Sequence, residues 1–219
     1  MIFALYNSID GRIMARYTGP KNRLARRFGA NVFGKTRNPS AHKQHPPGMH
    51  GAKRKKKSDY GVQLEEQQKL RACFGMITRK QLLRYYKEAV LQKENTQEAF
   101  VQRLETRLDT VVYRLKFGLS PFHAQQLVAH GHIQVDGKKV DIRSFQVKPG
   151  MTISLHEKSK TNGHVKQSLE RSAVTVPEYL SLDPVKMSGQ LLVLPHLDQI
   201  PLPLVVNVAV VCEFLAYTT

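Results

Sequence analysis

The stretch from residue 120 to residue 155 constrains the fold of this chain more than any other part of the sequence. Ser120 is typical of a helix N-cap, and Pro121 follows it at the first helical position, where proline is well tolerated. Gly131 then stands where a C-terminal cap belongs. These residues predict a short helix over residues 121–130.

A pair of antiparallel strands is predicted directly after this helix. Residues 132–135 and 138–140 flank Asp136-Gly137, a dipeptide that favours a tight two-residue hairpin turn. Pro149-Gly150 marks a second turn, and the alternating residues 151–155 are predicted to form another strand. The segment therefore indicates a small module of helix, hairpin and strand in a chain of the α+β class.

Capping residues predict three helices before the module, with N-terminal signals at Ser58, at Thr78 with Gln81, and at Asn95 with Glu98. The first of these helices closes near Gly75. In the third, apolar residues recur at helical spacing from Phe100 to Leu115, which predicts one continuous helix that ends at Gly118.

The pattern weakens after residue 156. A polar helix is predicted near residues 163–171, and short strands are predicted near residues 191–194 and 204–211. Prolines at positions 195, 201 and 203 favour short or edge strands in this region.

Positive charge is concentrated at the beginning of the chain. The formal net charge is +17; residues 1–60 contribute 14 Lys and Arg against 2 Asp and Glu, whereas residues 161–219 contribute 3 against 5. So dense a charge repels itself unless a polyanion neutralises it, and nucleic acid is the polyanion that fits best. A membrane surface would require a basic amphipathic helix or a hydrophobic anchor, which residues 15–60 do not show.

Residues 15–57 are predicted to form an extended, loop-rich arm, because Gly-Pro, Asn-Pro and Pro-Pro-Gly sequences interrupt them. Such a segment buries little surface, and we expect it to become ordered against a partner. The basic run at residues 53–57 is compatible with a solvated localisation tag or with a phosphate-binding surface. Its position between the stiff Pro46-Pro47-Gly48 turn and the helix start at Ser58 favours the second, since charges at fixed positions can match a folded backbone.

The module carries a second group of donors and cations. The candidates for contact with the grooves and phosphates of A-form RNA are Gln125, Gln126, His130, His132, Lys138, Lys139, Arg143 and Lys148. Tyr113, Phe117 and Phe122 could stack on bases, but their spacing favours packing in the core.

Metal-binding and catalytic functions find little support. His42, His45 and His50 lack cysteine partners and regular metal-ligand spacing, and imidazole could equally donate to phosphate. The sequence has no glycine-rich phosphate loop, nucleophile elbow or zinc-protease helix. Cys73 and Cys212 lie in apolar runs, which does not indicate a disulfide framework and favours a reducing compartment.

The acidic residues of the predicted third helix have a simple structural interpretation. Glu105 and Asp109 are four residues apart, as are Arg103 and Arg107. We interpret them as salt-bridged pairs on a helix surface.

Five segments, taken in order, closely resemble one family. They are MARYTGPKNRLARRFG (14–29), PPGMHGAKRKKKSDYGVQLEEQQKLR (46–71), RLDTVVYRL (107–115), QQLVAHGHIQVDGKKV (125–140) and VKPGMTISLHEKSK (147–160), and VCEFLA follows near the C-terminus. The family is bacterial-type ribosomal protein four of the small subunit. The resemblance runs from residue 14 almost to the end of the chain.

The resemblance implies two domains and an arm. Residues 14–57 are expected to form the basic arm, and residues 58–106 a helical domain completed by the C-terminal tail, 206–219. A small RNA-binding module of helix, helix and hairpin, inserted as the second domain, is then expected with its C-terminal extension over residues 107–205.

The resemblance also implies a function. The family is a primary binder of 16S ribosomal RNA, nucleates assembly of the subunit body, and lies at the channel through which messenger RNA enters. Its partners include ribosomal protein five, with which it affects translational accuracy, other small-subunit proteins and messenger RNA. The expected location is cytoplasmic, in the small ribosomal subunit, with no membrane, cofactor, metal or small-molecule substrate and no enzymatic activity.

On this reading the ribosomal RNA contacts extend beyond the module. The candidates in the arm and helical domain are Arg16, Lys21, Arg23, Arg26, Arg27, Lys35, Arg37, His45, His50, Lys53, Arg54, Lys55, Lys56, Lys57, Tyr60, Arg71 and Arg84. Arg107 and Arg114, at the start of the module, complete the set.

Three departures from the family pattern stand out. Many members carry four arm cysteines that hold zinc, but Asn22 and Ala25 stand at the first pair's positions, which implies a zinc-free version. The module's first helix usually has arginines after its cap, where this chain has Pro121, Phe122 and His123, so weaker RNA contact is expected there. Residues 1–13 precede the usual start and are expected to be disordered or a mis-assigned start.

Two rival interpretations remain open at this stage. Pseudouridine synthases share the module and use an Arg-Leu-Asp sequence, which residues 107–109 mimic, but the following residues continue an amphipathic helix and no catalytic domain fits in the chain. A stand-alone RNA-binding translational regulator is the stronger alternative, and ribosome co-sedimentation would separate it from a ribosomal protein.

Overall fold

The computed structural model describes residues 17–35, 38–41, 43–53, 56–92, 95–170 and 175–218. Several candidates lie outside these ranges and remain sequence predictions: residues 1–13, Arg16, Arg37, His42, Arg54 and Lys55.

The described residues form nine α-helices, one 3₁₀ turn and one sheet. The helices are α1 (Lys21–Phe28), α2 (Asp59–Cys73), α3 (Arg79–Val90), α4 (Thr96–Glu105), α5 (Leu108–Arg114), α6 (Pro121–Ala129), α7 (Glu157–Lys160), α8 (Gly163–Glu170) and α9 (Val208–Tyr217). The strands are β1 (Ile133–Val135), β2 (Lys138–Lys139), β3 (Thr152–Leu155), β4 (Leu180–Asp183) and β5 (Ser188–Leu191), and the 3₁₀ turn is Leu197–Gln199. The predicted α+β class is confirmed.

Helices α2, α3, α4 and α9 form a helical lobe around one apolar core. The Ser58 side chain accepts the Gly61 N–H, and the Thr78 side chain accepts the Gln81 N–H, so the predicted caps of α2 and α3 are confirmed. The core of this lobe includes Leu70, Leu82, Phe100, Leu104, Val211 and Leu215. Because the caps satisfy helix-end donors and the apolar faces meet in one cluster, the lobe needs no partner to bury its core.

The predicted third helix is wrong in its continuity, because the chain breaks between α4 and α5. Arg107 has an extended backbone (φ −63°, ψ 138°), and the Thr106 carbonyl accepts the Val147 N–H (2.8 Å). The apolar stripe is therefore two stripes: Leu104 packs in the helical lobe, whereas Leu108 packs in a second core.

That second core belongs to the module, which we define as α5 to β5. Its sheet has the order β2-β1-β3-β5-β4, with every neighbouring pair antiparallel. The predicted hairpin is confirmed: Val135 pairs with Lys138, and Asp136 (φ 48°) and Gly137 (φ 76°) form the turn. Such positive φ values suit the right-handed twist of a two-residue hairpin.

The predictions for the C-terminal region are partly wrong. The polar helix is confirmed as α8, but the strand expected near 191–194 lies at Ser188–Leu191. Residues 208–211 of the strand expected at 204–211 are instead the start of helix α9. Asn207 caps α9 by accepting the Val210 N–H (3.3 Å). The apolar side of α9 then fills the helical lobe, so packing outweighs the strand preference of its valines.

The arm is more ordered than its sequence predicts. Helix α1 lies within it, and Gly29 ends that helix in the left-handed conformation (φ 69°). Val32 and Phe33 are each 2% exposed and pack with Ala72 of the helical lobe. The expectation of an arm that buries little surface is therefore wrong for residues 17–35.

Candidate nucleic-acid interface

Most of the described basic residues of the arm have exposed side chains. Several candidates have side chains with no carboxylate of the described residues within ion-pair distance. They are Arg23, Arg26, Arg27, Lys35, His45, His50, Lys53 and Lys56, and we call them the arm surface. Most are exposed, and Arg26 is half-buried because its Nη2 donates to the His45 carbonyl (3.1 Å). That bond ties helix α1 to the loop that follows it.

A tight turn holds the base of the Lys-rich run. Gly48 has φ 112°, and a Cβ on Gly51 would lie 1.9 Å from the Pro46 carbonyl oxygen, so these positions require glycine. The Lys53 N–H donates to the His50 carbonyl (3.1 Å), which continues the turn into the basic run. This geometry agrees with the sequence prediction that the basic run directly follows a stiff turn.

The arm is attached to the module by an aromatic contact. The rings of Phe33 and Phe122 lie 5.1 Å apart, and the Lys21 ammonium lies 4.0 Å from the centroid of the Phe122 ring. Aromatic pairs and cation–π contacts each contribute about 0.5–1.5 kcal/mol. Phe122 is therefore a packing residue, as its spacing predicts, and so is Phe117, which is fully buried.

The second cationic area lies on the module. We call the module surface the residues Gln126, His130, His132, Lys138, Lys139 and Lys148, all exposed except His132, which is half-buried. The Lys139 side chain lies across Gly131, where a Cβ would be 2.0 Å from Lys139 Cε. Within the part of the chain that the structure describes, no carboxylate is ion-paired with these lysines.

A cleft of about 160 Å³ lies where the arm, the helical lobe and the module meet. Its walls are Tyr17, Gly75, Met76, Ile77, Thr78, Gln81, Arg107, Gln125, Arg143 and Ser144. Gln125 donates from Nε2 to the Gly75 carbonyl (3.1 Å) and so closes one side. The candidates Gln125 and Arg143 therefore line a junction, whereas Gln126 faces solvent.

Arg107 and Arg114 require a correction, because both guanidinium groups are buried against acids rather than exposed. Arg107 binds both carboxylate oxygens of Asp109 (2.9 and 2.7 Å) and donates to the Tyr85 hydroxyl (2.9 Å). Each arginine is 5% exposed. Both guanidinium groups are engaged in structural ion pairs, which makes these two residues weaker candidates for RNA contact than the exposed cations.

The Arg114 pair connects three parts of the fold. Arg114 binds Glu105 (2.6 and 3.2 Å) and donates to the Pro201 carbonyl (2.8 Å), while the Tyr179 hydroxyl donates to Glu105 (2.7 Å). Burial alone would lower the pKa of Arg114, but the Glu105 carboxylate outweighs it and raises that pKa. The interpretation of Glu105 and Asp109 as surface salt bridges is thus wrong, since both pairs are internal.

The remaining candidates of the helical lobe have partners within the protein. Arg71 donates from Nε to the Ile77 carbonyl (2.6 Å), and burial together with Arg79 lowers its pKa. Arg84 is exposed and pairs with Glu88 (2.9 Å), and Lys57 pairs with Glu65. Tyr60 is 62% exposed and its ring lies 5.5 Å from that of Phe214. These four are weaker candidates than the arm and module surfaces.

Sequence reasoning missed several exposed bases. Arg79 and Lys80 occupy the first turn of α3 and face solvent, and their place directly after the Thr78 cap could have indicated it. His123 and His156 lie near His132 on the module, and His164 lies near His123. Nothing in the linear sequence brings these histidines together, because they lie on separate elements.

Two negative findings hold for the described ranges. No group of three or more His, Cys, Asp or Glu residues could hold a metal ion. No described helix is both long and apolar enough to cross a membrane.

Comparison of the sequence with known proteins assigns this chain to a family. Residues 16–105 match the family described as "Ribosomal protein S4/S9 N-terminal domain", and residues 106–153 match the S4 domain. The chain is 59% identical over 206 residues to small ribosomal subunit protein uS4 of Protochlamydia amoebophila (strain UWE25), and the aligned region covers 94% of this chain and 100% of that protein. The chain belongs to the uS4 family.

Further members support the same assignment. Identity is 59% over 209 residues to small ribosomal subunit protein uS4 of Chlamydia trachomatis serovar L2 (strain ATCC VR-902B / DSM 19102 / 434/Bu), and 57% over 209 residues to that of Chlamydia pneumoniae. Both alignments cover 94% of this chain and 100% of the relative. The uS4 family consists of structural ribosomal proteins rather than enzymes, so the predicted family and the predicted class of function are confirmed.

Proposed function

We propose that this uS4 protein is a primary binder of 16S ribosomal RNA, that its arm and module surfaces grip the folded RNA together, and that this binding nucleates assembly of the body of the small subunit. The observation that supports the proposal is the fixed relation between the two cationic surfaces. Phe33 of the arm packs on Phe122 of the module, and the buried Arg107 and Arg114 pairs join the module to the helical lobe.

A fixed relation between cations favours recognition of shape. Double-stranded RNA is recognised through its contours and phosphates more than through base edges. Two charged areas on one frame can therefore select an RNA fold whose backbone passes both, whereas two flexible tails would bind any polyanion. The cleft between them, lined by Gln125 and Arg143, would then face the RNA at the junction.

Binding by this mechanism depends strongly on salt. If about six to ten phosphates are contacted, affinity should fall by about a thousandfold or more between 50 and 200 mM salt, because each contact releases counterions. Replacing Lys53, Arg54, Lys55, Lys56 and Lys57 with Ser should flatten this slope by several units. An unchanged slope would mean that the run points into solvent.

Family membership also supports two further roles. We propose that the protein lies at the channel through which messenger RNA enters the subunit, and that it affects translational accuracy at a boundary with ribosomal protein five. Reconstituted subunits with variants at this boundary, assayed with a misreading reporter, test the second role. Equal misreading by wild type and all boundary variants would contradict it.

Footprinting of 16S ribosomal RNA with the purified protein tests the central proposal. We expect protection at one region of the RNA, and affinity for it should exceed affinity for a random transcript of the same length. Equal affinity for the two RNAs would overturn the proposal. Loss of the protein from small subunits in a moderate-salt wash would favour the alternative, a stand-alone translational regulator.

A further inference from the structure

Five histidines from different elements of the module lie near one another. His123 is in α6, His130 and His132 join α6 to β1, His156 joins β3 to α7, and His164 is in α8. The ring centroids of His123 and His164 are 6.1 Å apart, and those of His130 and His132 are also 6.1 Å apart. We call these five residues the histidine cluster.

The groups that act electrostatically on His123 and His132 are all basic side chains. His132 faces His130, His156 and Lys139, and His123 faces His164 and His132. Burial, followed by these neighbours, lowers the pKa of both His123 and His132. Among the described residues, no carboxylate acts on either ring or forms an ion pair with it, and Glu157, next to His156, faces solvent. The cluster therefore lacks an anion of its own.

Hydrogen bonds determine which ring nitrogen accepts in two members of the cluster. The Leu119 N–H donates to Nδ1 of His123 (3.2 Å), and the Lys158 N–H donates to Nδ1 of His156 (3.3 Å). Because Nδ1 of each ring accepts a backbone N–H, Nε2 is the nitrogen left to donate. His123 and His156 can therefore donate from Nε2 to an anion.

The hydrogen-bond partner of His132 differs from those of His123 and His156. Its Nδ1 lies 2.9 Å from the hydroxyl of Ser159, a residue that is 5% exposed. A hydroxyl can donate to a neutral imidazole and can accept from an imidazolium, so Ser159 remains a partner in both states. His132 can thus gain a proton without losing a hydrogen bond, and Lys139 stands beside it as a permanent charge.

We propose that the histidine cluster is a binding site for a backbone phosphate of RNA and that His132 takes up a proton when this phosphate binds. The phosphate oxygen accepts the Nε2–H of His132, and the Ser159 hydroxyl turns from donor to acceptor as Nδ1 is protonated. This inference rests on the proposed function, because it names the ligand of one part of the module surface. Lysine and arginine are already charged at neutral pH, so they cannot contribute this proton uptake.

Thermodynamic linkage determines the direction in which pH changes the affinity for RNA. A phosphate stabilises the charged ring and raises the pKa of His132 in the complex above its value in the free protein. Proton uptake therefore accompanies binding, and affinity rises as the pH falls through the interval between the two values. If the shift is about one unit, the gain in affinity is about tenfold.

The test measures binding of a 16S ribosomal RNA fragment from pH 7.5 to pH 5.5 at constant ionic strength, with calorimetry in two buffers of different ionisation enthalpy to count protons. The wild type should gain up to about tenfold in affinity and take up about half a proton at the pH midway between the two pKa values. His132→Gln should bind with little gain and without that proton uptake. His132→Lys should bind tightly at pH 7.5 with a flat profile, because its charge is permanent.

Controls separate the possible failures. His196 is exposed, pairs with Glu98 (2.6 Å) and lies outside both cationic surfaces, so His196→Gln should retain the wild-type profile. Far-UV circular dichroism of each variant checks its fold. Tight binding with the same pH profile in wild type and His132→Gln would overturn this inference alone. Absence of preferential RNA binding by the wild type at every pH would overturn the proposed function and this inference with it.

Discussion

The guanidinium of Arg114 forms a two-pronged ion pair with the carboxylate of Glu105, the last residue of helix α4, and both side chains are almost completely buried. The two residues lie on opposite sides of the break between α4 and α5. Their pair therefore spans the boundary between the core of the helical lobe and that of the module. Tyr179 and the Pro201 carbonyl complete the hydrogen bonding of the pair from distant parts of the chain.

Removing one partner of this pair should destabilise the protein strongly. Glu105→Gln leaves the Arg114 charge buried without its counter-ion, and the expected loss in the free energy of unfolding is about 3–5 kcal/mol. Urea denaturation followed by circular dichroism measures it. The double variant Glu105→Leu/Arg114→Met should recover much of the loss, because it buries no charge. A loss below about 1 kcal/mol in the single variant would contradict the structural role assigned here.

The contact between Phe33 and Phe122 should control how the arm is held. Phe122→Ala removes the ring that Phe33 and Lys21 contact, and we expect a loss of about 1–2 kcal/mol in arm docking. Trypsin should then cleave the arm faster, while the module remains intact. Affinity for ribosomal RNA should fall, since binding must now order the arm.

Phe122→Leu is the matched control, because it keeps an apolar side chain that covers Phe33. It should resist trypsin better than Phe122→Ala. If the two variants and the wild type were cleaved at the same rate, the arm would not depend on this contact.

The ion pair between Lys57 and Glu65 should restrain RNA binding. Lys57 is the last cation of the basic run, and Glu65 neutralises it in the free protein. Glu65→Gln should release the ammonium for a phosphate and steepen the slope of log affinity against log salt by about one unit. Asp198→Asn changes the net charge equally at an exposed position in the 3₁₀ turn and should leave the slope unchanged. Equal slopes for all three proteins would show that Lys57 does not reach RNA.

The two cysteines should be nearly inert while the protein is folded. Burial raises the pKa of the Cys73 thiol to about 12 and that of Cys212 to about 11, against about 8.5 in an unfolded chain. Alkylation at pH 8 should therefore be slower in the folded than in the unfolded protein by about a hundredfold or more, because the thiolate is the reactive form. Rapid labelling of either thiol without denaturant would contradict this.

The same shift predicts the direction of the pH dependence of stability. Because the folded-state pKa is raised, the contribution of these thiols is fully present below the unfolded pKa of about 8.5. It is lost progressively as the pH rises from there through the folded-state values. The urea midpoint should decrease between pH 8 and pH 11, and Cys73→Ala/Cys212→Ala should decrease less.

Local chemistry made part of this fold predictable. Ser58 and Thr78 cap their helices as expected, and Asp136-Gly137 forms the expected hairpin turn, since these features depend on neighbouring residues alone. The core role of Phe117 was also evident from its spacing. In each case one principle of local structure is sufficient.

The features that sequence reasoning missed depend on distant contacts. The break at Arg107 exists because the backbone of residues 106–108 pairs with residues 145–147, a partner that helical spacing cannot show. Helix α9 contains several valines but fills the core of the helical lobe, and the Asn207 N–H donates to Glu66 of α2 (2.9 Å). Likewise, nothing near Arg114 in the sequence indicates that Glu105 and Tyr179 converge on it.

Strand β2 has one more consequence for the protein before it meets RNA. It is an outer strand of the sheet, only two residues long, and both of its residues, Lys138 and Lys139, are exposed. A short, lysine-bearing border is a poor template for a strand of another chain. The same two side chains that we propose as contacts for nucleic acid therefore also disfavour edge-to-edge pairing between newly made copies.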